Sequence, residues 1–238
     1  FRTVSFNQVV DAYIHQIEAL IEGGSDILLV ETIFDGLNAK AASVAIKEVR
    51  EKLKINIPII YSAAVGMGGE TMISAMKIES FINSFEHTNP LALGLNCSLG
   101  PDPMRAPLWE LSSKTDNYVS VFPNAGLPNP LAPSGFDLSP NDMARYAGEF
   151  AAYGLINFVG GCCGNTPDHI SAIAKEVKKH KPRQLPKIDP CMRLSGSEAY
   201  NHTEEKNFLM IGERTNVAGS PRFSKLIKSN NLDDATRI

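Results

Sequence analysis

No stretch of this 238-residue chain strings together the roughly 18 apolar residues that cross a bilayer, and its first residues show no signal-peptide pattern. Neither a membrane span nor an export route is therefore expected, and the location reads as cytoplasmic. A basic excess is missing too. Lys and Arg number 23 against 26 Asp and Glu, a formal net charge of −3, which leaves no positive field to gather a polyanion and excludes nucleic acid as a partner. The one basic cluster, Lys175, Lys178, Lys179, Lys181 and Arg183, falls toward a helix C-terminus, where cations suit the helix dipole. Cysteines are scarce as well. Four are too few to staple a chain of this size, and in a reducing compartment clustered cysteines point to a metal or to catalysis. No internal repeat or low-complexity tract is present.

What is abundant is apolar residue, 43% of the chain, enough for a sizeable core. Apolar positions Val9, Val10, Tyr13, Ile14, Ile17, Leu20 and Ile21 recur at helical spacing between a Ser5 cap and Gly23-Gly24. An unbroken run, Asp26 to Glu31, then reads as a strand buried on both faces. The rhythm repeats. Helices at about 37–53, 74–87, 102–113 and 139–153 each precede a strand, at 57–61, 91–95, 118–122 and 155–159, and a last helix spans about 166–179. Alternation at this spacing predicts parallel strands with crossover helices, in a doubly wound sheet or a (β/α) barrel. Five strands fall three short of a barrel, so on the barrel reading three βα units lie upstream of Phe1, and both ends of the chain read as cuts.

Barrel sites form at the C-terminal ends of the strands. The conspicuous residues lie there: Glu31, Asn96 and Cys97, Asn124, and Cys162 with Cys163. Neighbouring residues on an extended strand point to opposite faces, but Gly160, Gly161 and Gly164 let the backbone turn so that both sulfurs aim at one point. Joined by Cys97, they form three corners of a tetrahedron with a fourth position open, the donor set of a catalytic zinc that binds a substrate thiol. The cysteines taken alone also fit a structural zinc, a redox pair or packing. Glu31 fits a helix cap or a lysine partner as well as a substrate ammonium. Cys191 reads as free, and His15, His87, His169, His180 and His202 sit on helices, helix ends or the linker, so most of them read as surface residues and none as a ligand.

From Lys181 to about Lys206, Pro182, Pro186, Pro190 and Gly196 break every period, so this stretch reads as a linker. A new strand is expected at Phe208 to Ile211 and a helix after Ser220. The predicted organisation is thus a barrel portion over 1–183, a linker over 184–206 and the start of a second domain over 207–238.

Four segments carry a resemblance. They are Val30-Glu31-Thr32-Ile33-Phe34-Asp35, Gly94-Leu95-Asn96-Cys97-Ser98-Leu99-Gly100-Pro101, Pro123-Asn124-Ala125-Gly126-Leu127-Pro128, and Val159-Gly160-Gly161-Cys162-Cys163-Gly164-Asn165-Thr166-Pro167. In this order they resemble the homocysteine-binding module of cobalamin-dependent methionine synthases, over about residues 1–182. Single-module methyltransferases that use betaine or S-methylmethionine share the three cysteines. The tail, Ile211 to Ser220, resembles the first strand and loop of the methyltetrahydrofolate-binding barrel that follows in the cobalamin enzymes.

The resemblance implies an incomplete (β/α)8 barrel followed by the first strand of a second barrel, and an enzyme that moves a methyl group to L-homocysteine. Zn2+ is implied at Cys97, Cys162 and Cys163, with Asn124 as a fourth ligand when substrate is absent. Glu31, Asn96 and Asn124 would contact the substrate, and Glu213, Arg214 and Asn216 the folate. Methylcobalamin and methyltetrahydrofolate would serve through cobalamin and folate modules of the same polypeptide, so the chain alone is expected to be inactive. One loop departs from the family. Ser62-Ala63-Ala64 replaces the usual Ser-Gly-Thr, and Gly69-Glu70-Thr71-Met72-Ile73-Ser74-Ala75-Met76 replaces a Gly-Arg-Thr-Leu-Ser-Gly-Gln motif.

Overall fold

The computed structural model describes residues 3–132, 135–212 and 215–238. Five strands, β1 (Leu28–Ile33), β2 (Ile59–Ala63), β3 (Ala92–Asn96), β4 (Tyr118–Phe122) and β5 (Phe158–Val159), form one parallel sheet in the order β1-β2-β3-β4-β5. Helices α1 (Phe6–Glu22), α2 (Gly36–Leu53), α3 (Ile78–Phe85), α4 (Pro101–Lys114), α5 (Pro140–Ala152) and α6 (Pro167–Val177) alternate with them. A doubly wound sheet reverses its strand order at a switch point. This sheet never reverses, an α/β arrangement compatible with part of a (β/α)8 barrel.

The helices begin where local chemistry supplies partners for orphan N–H groups. Ser5 and Gln8 form a reciprocal capping box on α1, Ser139 and Asp142 another on α5, and the Asp35 side chain accepts from Leu37 N on α2. The helix expected from residue 74 begins only at Ile78. Ala75 is left-handed (φ 50°), and Met76 N donates to Thr71 Oγ1 at 3.0 Å, so a turn takes the first expected helical residues.

The sheet has two different faces. Leu28, Ile59, Tyr61, Ala63, Leu93, Leu95, Val119 and Val121 point to the helices and share one core with Ile46, Phe81, Phe85, Leu108 and Phe150. In the other register row Leu29, Ile60, Ala92 and Tyr118 lie side by side, and Leu29 and Tyr118 are each 42% exposed. Ser62, Gly94 and Ser120 form the next row, where both serine hydroxyls are buried without a partner. Position 94 must be glycine, because a Cβ would stand 1.9 Å from Ser120 Oγ.

The stretch read as a linker holds a hairpin instead, β6 (Met192–Ser195) and β7 (Ala199–His202). It is fastened to α3. Ser80 Oγ donates to Gly196 O (2.6 Å), Asn83 Nδ2 to Leu194 O (3.0 Å) and Asn201 Nδ2 to Glu79 Oε1 (2.8 Å). Two strands alone are marginal in water, so these contacts, distant in sequence, explain a hairpin that local pattern does not announce.

The chain divides into two compact units, Phe1–Asn201 and His202–Ile238. Within the second, α7 (Pro221–Lys228) and α8 (Leu232–Ala235) pack together under caps from Ser220 and Asn231. The strand expected at Phe208 to Ile211 does not form; Phe208 is 90% exposed, and among the described residues no strand lies beside it to pair with. Among the described residues no helix is long and apolar enough to cross a membrane.

Candidate metal centre

Two turns build the site. Where β3 ends, Cys97 (φ 60°) and Ser98 (φ 56°) are both left-handed, a conformation that costs a side-chain-bearing residue roughly 1–2 kcal/mol. Tertiary bonds hold it. Cys97 N donates to Phe122 O (3.1 Å) and Ser98 Oγ to Val65 O (2.7 Å). Such strain concentrates at functional positions, and here it swings the Cys97 sulfur out of the strand direction. After β5, the Gly160-Gly161-Cys162-Cys163-Gly164 turn is fixed by Cys162 N to Pro123 O (2.9 Å), Cys163 N to Asn124 Oδ1 (3.0 Å) and Ala125 N to Cys163 O (2.9 Å). Gly164 has φ 77°, and a Cβ there would meet the Phe136 ring at 2.3 Å.

The three sulfurs converge. Cys97 Sγ lies 3.8 Å from Cys163 Sγ, Cys162 Sγ lies 4.0 Å from Cys163 Sγ, and all three fall within 4.8 Å of one another. Bonds of about 2.3 Å from zinc to sulfur in a tetrahedron place the sulfurs about 3.8 Å apart, so the spacing fits a shared zinc. The Cys162 thiol is pushed up to about 11, first by burial and then by the proximity of Cys97 and Cys163, against an opposing hydrogen bond from Asn96. Three crowded sulfurs cannot all carry negative charge unaided, whereas a divalent cation between them reverses that balance.

Asn96 and Asn124 stand behind the sulfurs. Asn96 is fully buried; its Oδ1 accepts from Thr32 N (2.9 Å), and its Nδ2 donates to Thr32 Oγ1 (2.9 Å) and toward Cys162 Sγ (3.9 Å). Asn124, 5% exposed, commits its Oδ1 to Cys163 N. Glu31 is exposed on β1 and lines a cavity of about 350 Å³ with Tyr13, Thr32, Asn38 and Ile73; Asn96 and Thr32 link that strand end to Cys162. A larger cavity, about 950 Å³, lies on the helix side of the sheet among Ser43, Lys47, Arg50, Tyr61 and His87, and no cysteine lines it. Chemistry rather than volume locates the site.

Asn216 belongs to the second unit, where its Oδ1 accepts from Ala218 N and Gly219 N in a local turn. Glu213 and Arg214 lie outside the described residues. His169, read as a surface residue, is 3% exposed and hydrogen-bonded through both ring nitrogens. Its signal was a capping box, Thr166-Pro167-Asp168-His169, with histidine in the place usually held by Glu or Gln.

Comparison with known proteins bears on the fold and the family. The apo form of the homocysteine methyltransferase MmuM from Escherichia coli superposes with a TM-score of 0.57 at 20% identity, over 73% of this chain and 57% of that one. Its metallated form gives 0.53 at 22% identity, over 70% and 51%. At that identity the match speaks for the fold, and the chain spans little more than half the length of those structures. The family described as "Homocysteine S-methyltransferase" matches over residues 1–177. The chain belongs to the homocysteine S-methyltransferase family.

Proposed function

We propose that Cys97, Cys162 and Cys163 hold a zinc ion with one corner left for the thiol of L-homocysteine, so that the chain supplies the thiol-activating part of a methionine-forming methyltransferase. The convergence of three sulfurs at tetrahedral spacing carries this reading. Zinc, when bound, lowers the pKa of a thiol and presents it as the thiolate, the nucleophile in alkyl transfer to sulfur.

The chain's own residues shape what surrounds the ion. The Asn96 amide donates toward Cys162 Sγ and so disperses negative charge on that sulfur. Asn124 holds Cys163 through its backbone N–H, and the second lone pair of its amide oxygen suits it to serve as a weak fourth ligand until substrate arrives. Glu31, exposed at the end of β1, offers a carboxylate to the ammonium of homocysteine. A cytoplasmic setting, as expected from the sequence, would keep these thiols reduced.

The finer assignment is to a cobalamin-dependent enzyme, in which methylcobalamin donates the methyl group and methyltetrahydrofolate replaces it. Its support is the tail, Ile211 to Ser220, where Glu213, Arg214 and Asn216 would serve the folate. The alternatives are a single-module enzyme using betaine or S-methylmethionine, and a structural zinc. X-ray absorption on the zinc-loaded protein tests the core reading: a sulfur neighbour gained on adding homocysteine supports it, and unchanged coordination overturns it. Assayed on a polypeptide that carries every module, methionine formed from methylcobalamin, with none from betaine or S-methylmethionine, supports the cobalamin assignment; the reverse pattern refutes it.

A further inference from the structure

We infer that His169, which touches no cysteine, is a positioning residue for the dicysteine turn, and this rests on the reading that the cysteines hold a metal. The imidazole sits at the third position of α6 with both nitrogens engaged. A backbone N–H can only donate, so the Thr166 N–H at 3.1 Å makes Nδ1 the bare nitrogen, and Nε2 carries the hydrogen given to Leu138 O at 3.0 Å. One tautomer satisfies both partners.

Those partners close a ring. Thr166 follows Cys163 by three residues; Cys163 O accepts from Ala125 N (2.9 Å); Ala125 O accepts from Leu138 N (3.0 Å); and Leu138 O accepts from His169. The ring joins the end of the Cys162-Cys163 turn to both ends of the β4–α5 loop, whose first residues hold Cys163 and Cys162. Beneath it lies a separate small core of Ala125, Met143, Ala147 and Ile173, with Phe136 and Leu138 packed on it. Cut the link from His169 to Leu138, and the loop retains its bonds to the cysteines and its apolar packing on Ile173 but loses its hydrogen bond to α6. The sulfurs of Cys162 and Cys163 can then drift relative to Cys97, which hangs from another strand.

His169→Asn separates this role from helix capping. The asparagine amide places an acceptor near Nδ1, preserving the cap on Thr166, but ends short of Nε2 and leaves Leu138 O without its donor. On the full chain we expect zinc affinity, read by competition with a chromophoric chelator, to fall about tenfold, in the range of losses for residues that orient metal ligands. The visible bands of the Co2+-substituted protein should shift, with the far-UV circular dichroism unchanged. A folded His169→Asn protein with wild-type zinc affinity and cobalt spectrum overturns the inference. If the variant does not fold, nitrogen NMR of the wild-type imidazole decides: a slowly exchanging Nε2–H with a bare Nδ1 supports it, and the opposite tautomer or a freely exchanging proton refutes it. Should the wild type take up neither metal, the zinc reading fails, while the same NMR measurement still tests the ring.

Discussion

Cys163 is the exposed member of the three sulfurs, and that makes Cys163→Ala the cleanest test of the centre. An exposed thiol leaves no core cavity when trimmed, and alanine keeps the backbone N–H that donates to Asn124 Oδ1 and the carbonyl that accepts from Ala125 N. Fold and site are thus separable: with both proteins metal-free, the melting temperature should stay within about 2 °C of wild type, as for surface substitutions within ±0.5 kcal/mol. Metal binding should not survive as well. Apparent zinc binding energies of about 10–16 kcal/mol shared among three or four ligands assign each roughly 3–4 kcal/mol. At about 1.4 kcal/mol per decade, losing one ligand weakens binding by two to three orders of magnitude. Chelator competition and metal analysis after gel filtration read this directly. A variant that retains one zinc per chain at wild-type affinity refutes the three-sulfur site, whatever its melting temperature.

Further predictions address other links. Because the Cys162 thiol is raised to about 11, it is protonated at neutral pH without a cation, so zinc capture must displace a proton. Apparent affinity should then rise with pH between 6 and 9 by up to about tenfold per unit for each displaced proton, and calorimetry in buffers of different ionisation enthalpy should show the release; pH-independent binding contradicts it. Asn96→Ala removes the acceptor for the Thr32 N–H and the donor toward Cys162, and should cost about 1–3 kcal/mol in chemical denaturation together with weaker zinc retention. Unchanged values for both would show that the amide does neither. Arg183, 4% exposed, donates to Ser112 Oγ (2.8 Å), Ser112 O (2.7 Å) and Asn117 O (2.9 Å), closing the C-terminal end of α4. Arg183→Met should lower stability by about 3 kcal/mol or more through orphaned carbonyls while sparing zinc affinity, and an unaltered melt contradicts it.

The parts of this structure that were legible in the sequence are those whose signal is local. Apolar runs such as Leu91–Leu95 and Val119–Val121 announce parallel strands buried on both faces, whereas Leu28–Val30, expected to be buried likewise, forms a strand whose second face is open at Leu29; the βα rhythm yields a sequential sheet. The cysteines were legible through their glycine neighbours and strand-end positions. What escaped notice depends on distant partners. The β6–β7 hairpin rests on α3, more than a hundred residues earlier, and the Pro-rich composition around it hides its alternation. His169 looked like one more helix-surface histidine, because nothing near it in sequence shows that Leu138 O waits for Nε2. Asn96 is legible as a strand-end residue, but its partners Thr32 and Cys162 are not, because they come from β1 and from the turn after β5. Phe208 to Ile211 failed the other way. A strand-like composition is not a strand until a neighbour pairs with it.

The same dependence explains how the centre closes. Cys97 leaves β3 and the vicinal pair leaves β5, two strands that flank β4 and so stand about 9–10 Å apart, twice the ordinary spacing. Their sulfurs nevertheless approach to 3.8 Å. Neither turn could bridge that gap alone. Both lean over the end of β4, and its residues bind each in turn: Phe122 O takes Cys97 N, Pro123 O takes Cys162 N, Asn124 Oδ1 takes Cys163 N, and Asn124 N reaches Leu99 O. The end of β4 is therefore a template that contributes no sulfur yet sets the position of all three. Every one of these bonds lies within the protein, so the fold itself, and not a shared ion alone, holds the two turns in place. Under the proposed function, a centre held this way would give up its fourth position to an incoming thiol while the three cysteines hold, which is what alkyl transfer to sulfur demands of its metal.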